Sequence, residues 1–401
     1  MRITTSRRAI LTTGLAGLAL LPFAGRARAT PQDLGDRLYD LVGRYGSHPT
    51  HRTGSPDDAA TTAWLCDELR TRGAEIELES VPFQRYDWTG EVRIAGREVP
   101  TIPYYYESTG PITTTTPFVT PVTIRDGLGD TQIETALREA ARSGAAAAVL
   151  ATTNQVLGTR YADLVAVNSN PARTPSGIAT LLISGTEADA AQRGPVSVRF
   201  DARRSDAVSH NVLGWFGPRS AEPILITTPL TGWFGCAAER GCGVAIALEL
   251  CRELSQQYSV LFLGTVAHEL QYGGQQVFLR RGIRSRAILH LGASLAAAAD
   301  SPIGTVLTPA RIANYRVPQA GKLAGLLAEL TPAGFLPVPV AGGEGALWES
   351  GTDPATPMVS LTGTFPQFHT PADTASATTS PVYLAQVYSA VSRAARLLVT
   401  D

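Results

Sequence analysis

Apolar residues in 32–45 fall at helical spacing, with Leu34, Leu38, Leu41 and Val42 on one face, and predict an amphipathic helix. Ser55, Pro56, Asp57 and Asp58 then supply an N-cap, a proline at the first helical position and two acids for the positive helix end. That helix runs to about Arg72 and stops at Gly73, and the alternation over 75–83 predicts a strand. From about Tyr86 to Asp206 the texture changes. Short β-like pieces at 91–95 and 119–124 alternate with Thr/Pro/Gly turns, a helix at 132–143 leads through Gly144 into a strand at 145–151, and 175–183 precedes a helix start at 185–189. A further strand covers 196–202. Buried-strand runs follow at 222–227 and 259–264, with an apolar helix at 244–254 between them. Strands alternating with helices as far as Leu291 argue for a mostly parallel sheet covered on both faces. A helix at 321–330, a strand at 358–361 and a closing helix at Pro381–Val399 complete the pattern, with Glu344, Trp348 and Glu349 in a glycine-rich loop.

Composition narrows this little. The chain has 401 residues, 44% hydrophobic and 17% charged, enough for one large or two medium domains. A formal net charge of -1 gives no argument for nucleic acid or an anionic membrane as partner. After residue 30 no stretch reaches the ~18 apolar residues that span a bilayer. The start of the chain is a different matter. Arg7 and Arg8, a mild apolar run and then Ala27-Arg28-Ala29 read as a twin-arginine-type signal at 1–29, although Ile10 stands where Phe is usual. Such a protein is exported already folded, to the periplasm or beyond, where an oxidising milieu permits a disulfide between Cys236 and Cys242.

Candidate chemistry concentrates where strands of the sheet end. Glu239 and Arg240 lie in a strand-to-helix turn, His268 and Glu269 just past the strand at 259–264, and His290 at the end of an apolar strand. Far downstream, His369 opens the run His369-Thr370-Pro371-Ala372-Asp373-Thr374. An HExxH zinc helix is excluded, because position 272 is Tyr. Each residue has a plainer reading: Glu239–Arg240 as an ion pair, His268–Glu269 as a turn, His290 as a satisfied core histidine. His48 and His51 read as loop histidines, and Tyr104, Tyr105, Tyr106, Trp233 and Phe234 as core or pocket lining.

In the order and spacing of these loops, the chain resembles the zinc exopeptidase family of aminopeptidase Y, bacterial leucyl aminopeptidase and glutaminyl cyclase. The segment Arg52-Thr53-Gly54-Ser55-Pro56 and the ending at His369 carry the likeness over about 32–401. Residues 86–206 are similar to a protease-associated insert, leaving 30–85 and 207–401 as the catalytic part. The fold this implies is a three-layer α/β/α sandwich with a mixed, largely parallel sheet and a small β-rich inserted domain. The family's metal motifs are altered here. Its first His-x-Asp is replaced at Thr228-Pro229-Leu230, its bridging Asp-Asn by Glu239-Arg240, its Glu-Glu by His268-Glu269, and a strand-end Asp by His290. The resemblance implies one zinc on Glu239, Glu269 and His369, with His268 moving the proton, His290 orienting or ligating, and Arg240 holding a substrate carboxylate. The expected function is hydrolysis of an amide bond in a peptide or peptide-like substrate. The alternatives are an inactive homologue that binds peptides or proteins, and a cyclase or other acyl-transfer enzyme.

Overall fold

The computed structural model describes residues 30–125, 130–156, 158–172, 174–219, 221–301, 304–338 and 343–400; the signal expected at 1–29 lies outside them. The buried-strand runs form the centre of the sheet. Every residue of Ile224–Pro229, Val260–Thr265 and Ala287–Leu291 is buried. Ile224–Pro229 lies between the other two and parallel to both, and Ala287–Leu291 pairs in parallel with Met358–Gly363. Antiparallel partners flank this centre, Ala310–Arg316 beside Met358–Gly363 and Val196–Phe216 beside Val260–Thr265. The ten-stranded sheet is therefore mixed, with a parallel core.

Alternate residues of each strand face opposite layers. Ile224, Ile226, Val260, Phe262, Leu289 and Leu291 face the layer of helices Pro31–Tyr45, Cys242–Leu254 and Pro381–Val399. Helix Cys242–Leu254 is apolar on almost every side because it is enclosed between the sheet and those neighbours. Leu225, Leu261, Leu263 and Ile288 face the other way, onto Phe278 and Trp348.

The expected strands at 75–83 and 196–202 are parts of something longer. Glu75–Ile94 and Val196–Phe216 pair antiparallel from Glu75↔Trp215 to Ile94↔Val196. Between them the chain builds a second sheet in the order Thr101–Pro103, Ala179–Ser184, Ala147–Val156, Phe118–Arg125, with helix Asp130–Ser143 packed on it.

Two local expectations are corrected. Glu344, Trp348 and Glu349 belong to the helix Gly343–Gly351, not to a loop. Three glycines give that helix poor intrinsic propensity. It forms because Trp348 is fully buried against Phe278, and because Gly345 lets its backbone press on Asn314 and Ser360. Nor do Cys236 and Cys242 bridge: the π-helical turn Ala237–Gly241 separates them, and all four cysteines are free thiols. Cys236 Sγ faces Glu239 Oε2 at 3.6 Å, and Cys242 Sγ faces Thr379 Oγ1 at 3.7 Å.

The packing of the strand-end loops is tight enough to test with single methyl groups. A Cβ at Gly274 would meet Asn211 Oδ1 and the Val266 backbone, whereas one at Gly43 would meet nothing within 4 Å. Gly274→Ala is expected to destabilise by about 1–3 kcal/mol through overpacking. Gly43→Ala, inside helix Pro31–Tyr45, is expected to stabilise by about 0.5–1 kcal/mol. Urea unfolding of the two variants checks both signs.

Candidate functional site

The parallel strands Ile224–Pro229, Val260–Thr265, Ala287–Leu291 and Met358–Gly363 all point their carboxyl ends at one rim, the usual location of sites in such sheets. The loops leaving that rim are strongly constrained. Cys236, Ala267, Gln271, Tyr272, Ser294 and His369 all adopt positive φ, between 47° and 62°. For side-chain-bearing residues this conformation costs energy and clusters at functional sites.

Asp373 fixes the first loop. Its carboxylate accepts the N–H groups of Ala238 (2.8 Å) and Glu239 (3.0 Å) and the Thr378 hydroxyl (2.8 Å). Burial pushes Asp373 up to about 7, opposed by those hydrogen bonds. The π-helical turn so held brings Glu239 and Arg240 inward, both almost wholly buried. Arg240 Nη2 lies 2.8 Å from Glu239 Oε1, and Arg240 Nε donates to the Thr231 carbonyl at 3.0 Å. His369 reaches the same carboxylate, Nε2 to Oε1 at 3.2 Å. Its ring is stacked on Phe368 at 4.0 Å, and its Nδ1 lies 3.2 Å from the Ala166 carbonyl oxygen.

A second carboxylate, Glu344, gathers the other two histidines. Its Oε2 lies 3.0 Å from His268 Nδ1 and 3.5 Å from His290 Nε2. Helix Gly343–Gly351 delivers it, and Gln275 anchors the Glu344 carbonyl at 3.0 Å. Burial pushes Glu344 and Glu239 up, but their histidine neighbours and Arg240 more than offset this and hold both at about 2. Burial lowers His268, and Arg240 lowers it further; His290 moves the same way, chiefly from burial. The result is two ionised carboxylates, one buried guanidinium, and His268 and His290 disposed to be neutral at neutral pH. Glu239 Oε1, Arg240 Nη1 and Nη2, His268 Nδ1, His290 Nδ1, Glu344 Oε2 and His369 Nε2 are buried without an aligned hydrogen bond. So many buried polar atoms with unfulfilled geometry single this place out as the candidate site. Beside them opens a cavity of about 350 Å³, with His268, Tyr272, His290, Glu344, Phe368 and His369 on its walls and Arg311 among its lining residues.

Of the residues expected to act together, Glu239, Arg240 and His369 do meet, and so do His268 and His290, through Glu344. Glu269 does not join them. Its Oε1 accepts the Thr53 N–H (2.8 Å) and hydroxyl (2.6 Å), and its Oε2 accepts the Thr231 hydroxyl (2.7 Å). The expected zinc set of Glu239, Glu269 and His369 is therefore not assembled: one carboxylate is committed to the two threonines and the other to Arg240. Among the described residues, no group of three or more His, Cys, Asp or Glu is placed to hold a metal ion. His51 has the loop role expected of it, with Nδ1 3.1 Å from Thr61 Oγ1 and Nε2 3.1 Å from the Tyr45 carbonyl oxygen. Sequence reasoning gave Glu344 only a supporting place, and missed the Thr53–Thr231 clamp altogether. A lone Glu among glycines carries no periodicity, and two threonines 178 positions apart in sequence carry no local signal at all.

Comparison with family models and with curated proteins found no match. Among solved structures the chain is similar to BSAP, a zinc aminopeptidase from Bacillus subtilis, at 14% identity and TM-score 0.66, covering 90% of this chain and 94% of that one. It is similar to the peptidase M28 precursor from Shewanella amazonensis at 14% identity and TM-score 0.64, over 92% and 97% of the two chains. The aminopeptidase from Aneurinibacillus sp. strain AM-1 matches at 18% identity and TM-score 0.56, over 91% and 93%. At these identities the likeness establishes the fold, a mixed α/β architecture of the zinc-exopeptidase type.

The role of Glu269 is open to direct test. Glu269→Ala leaves three donors on Thr53 and Thr231 buried without their acceptor and is expected to cost about 3 kcal/mol in urea unfolding. A variant that unfolds like the wild type would mean that the carboxylate is not the structural tie described here.

Proposed function

Taking the zinc-exopeptidase-like fold as the frame, we propose that the chain hydrolyses an amide bond in a peptide or small peptide-like substrate, using acid–base residues of the cavity. One observation carries this reading: the 3.0 Å pairing of His268 Nδ1 with Glu344 at the wall of that cavity. A carboxylate 3.0 Å from Nδ1, though not aligned for a hydrogen bond, electrostatically favours the tautomer with its proton there, which leaves the Nε2 lone pair for a water molecule. The lowered His268 basicity keeps the ring uncharged at neutral pH, the form a general base needs. In the step envisaged, Nε2 takes a proton from water, the hydroxide oxygen bonds to the amide carbon, and the same proton passes to the departing amine as the C–N bond breaks. Tyr272, whose phenol burial keeps protonated, stands beside His268 as an O–H donor, the two rings 5.0 Å apart. His290, on the same Glu344 oxygen, helps to orient that carboxylate. No step runs through zinc, because Glu239, Glu269 and His369 do not form a donor set.

The aminopeptidase activity named for the structural relatives supports a peptide-like substrate, and a cavity of about 350 Å³ suits a small one. The reading includes residues 86–206 as a protease-associated-like insert and 1–29 as a twin-arginine-type leader, which places the substrate outside the cytoplasm. Support for the insert comes from the separate second sheet, and for the leader from Arg7-Arg8 and Ala27-Arg28-Ala29. A second reading, ligand binding without turnover, is favoured by the Glu239–Arg240 pair, which is internally compensated and buried away from solvent.

Product analysis on aminoacyl and glutaminyl peptides separates the readings: a shortened peptide means hydrolysis, a cyclised N-terminus means acyl transfer, and saturable binding with no product means the second reading. For a hydrolase, His268→Ala is expected to lower kcat by about 100-fold or more. Because the folded-state basicity of His268 is depressed, kcat/KM is expected to hold through neutral pH and to fall on acidification, half-lost below 6.5. An unchanged kcat in His268→Ala would rule this residue out as the base.

A further inference from the structure

The geometry points to Arg240 as a built-in cation: its guanidinium stands against Glu239, which His369 also meets, and keeps a divalent ion from settling between those two donors. This inference shares the site of the proposed function but not its chemistry, and its test reads metal and imidazole resonances, so the two can fail separately.

The donors come first. Two neighbouring groups hold them: Glu239 with His369, and Glu344 with His268 and His290. Carboxylate oxygen and imidazole nitrogen are the donor types a zinc ion takes, although among the described residues neither group places three of them for a metal ion. Several of these atoms, Glu239 Oε1, Glu344 Oε2, His290 Nδ1 and His369 Nε2 among them, have no aligned hydrogen bond. An all-apolar neighbour would leave them costly to bury. What faces Glu239 Oε1 is the Arg240 guanidinium.

Arg240 is 1% exposed and cannot shed its charge, since the carboxylates around it hold its basicity above the ordinary arginine value in spite of burial. Nη2 sits 2.8 Å from Glu239 Oε1, the same oxygen that His369 Nε2 approaches to 3.2 Å. Its field also reaches Glu344, His268 and His290, the members of the second carboxylate group. Nε is pinned to the Thr231 carbonyl, so the cation cannot swing out without giving up that bond. A divalent ion bridging Glu239 and His369 would have to bind their shared side of Oε1, directly against a fixed positive group. Coulomb repulsion in a poorly solvated interior opposes this strongly. The guanidinium thus supplies the positive charge that the two carboxylates require, and does so from within the chain.

The test compares the full-length mature wild type with Arg240→Asn and Arg240→Lys. Each is dialysed against zinc chloride, freed of excess, and read by elemental analysis and calorimetry. The wild type and Arg240→Lys are expected to retain no stoichiometric zinc. Arg240→Asn is expected to retain about one zinc per chain, with affinity raised by about 100-fold or more over the wild type, and to lose it again when Glu239→Gln is added. A folded Arg240→Asn that takes no zinc, or a wild type that holds about one per chain and releases it in Glu239→Gln, overturns the inference. A readout on the wild type alone does not depend on how the variants fold. Histidine side-chain NMR with equimolar zinc chloride should leave the His268, His290 and His369 resonances in place; their displacement overturns the inference equally.

Discussion

A guanidinium that is 1% exposed is the constraint on which the rest of the rim depends. Burying a permanent charge costs several kcal/mol unless partners surround it, and a pair broken on one side is worse than no pair. Arg240 therefore fixes what its neighbours must be. Glu239 has to be ionised beside it and is, held at about 2 against the upward push of burial. Glu344, farther off, is held at about 2 by two histidines as well as by Arg240. The site works as one electrostatic unit, since the Arg240 charge acts on Glu239, Glu344, His268 and His290 alike.

Holding such a unit in place needs a frame that does not yield, and the frame is built from ties between distant parts of the chain. Asp373 links the last loop to the π-helical turn that carries Glu239 and Arg240. Glu269 links the loop at Thr53 to Thr231, and the same two hydroxyls accept the N–H groups of Ala267 (3.0 Å) and His268 (3.3 Å). The second sheet contributes too: its chain meets the rim where the Ala166 N–H donates to the His369 carbonyl (2.9 Å) and the Ser169 N–H to the Glu269 carbonyl (2.9 Å). Glu269 thereby acts through position. It sets the backbone on which His268 stands, and it does so by giving up any freedom to ligate.

How much of this could be read from the chain alone follows from what each feature depends on. The parallel strands were legible because burial on both faces demands consecutive apolar residues, and 224–226 and 260–263 supply them. The closing helix Pro381–Val399 was legible to the residue, since Ser380 caps it, Pro381 starts it and its apolar stripe is continuous. The strand 75–83 was cut short because beyond it the ribbon is half exposed and held by its partner Val196–Phe216 rather than by a one-sided core. Helix Gly343–Gly351 was hidden because its stability comes from Trp348 and the close approach at Gly345, against its own propensity. The site residues were found by the order of loops along the chain, but their pairing was not. Whether Glu239 turns to a metal or to Arg240, and whether Glu269 faces the cavity or Thr53, is decided by side-chain geometry that no spacing encodes.

The same electrostatics bears on why such a cluster of charges stays buried. Once a charge cluster has no task, the stabilising change is to replace it with apolar side chains of similar volume, which often gains stability. One position here has gone that way. Leu230, 2% exposed, packs where the resemblance implies an acidic residue, and a Cβ on Gly264 would run into its side chain. Everywhere else the polar groups persist, buried, with several atoms short of a good partner. They are accompanied by positive-φ residues at Cys236, Ala267, Tyr272 and His369 that cost energy in their own right. A fold only a few kcal/mol from unfolding does not keep such a set by default. The cluster is kept beside an open cavity, its buried carboxylate Glu239 balanced by a cation that belongs to the chain itself.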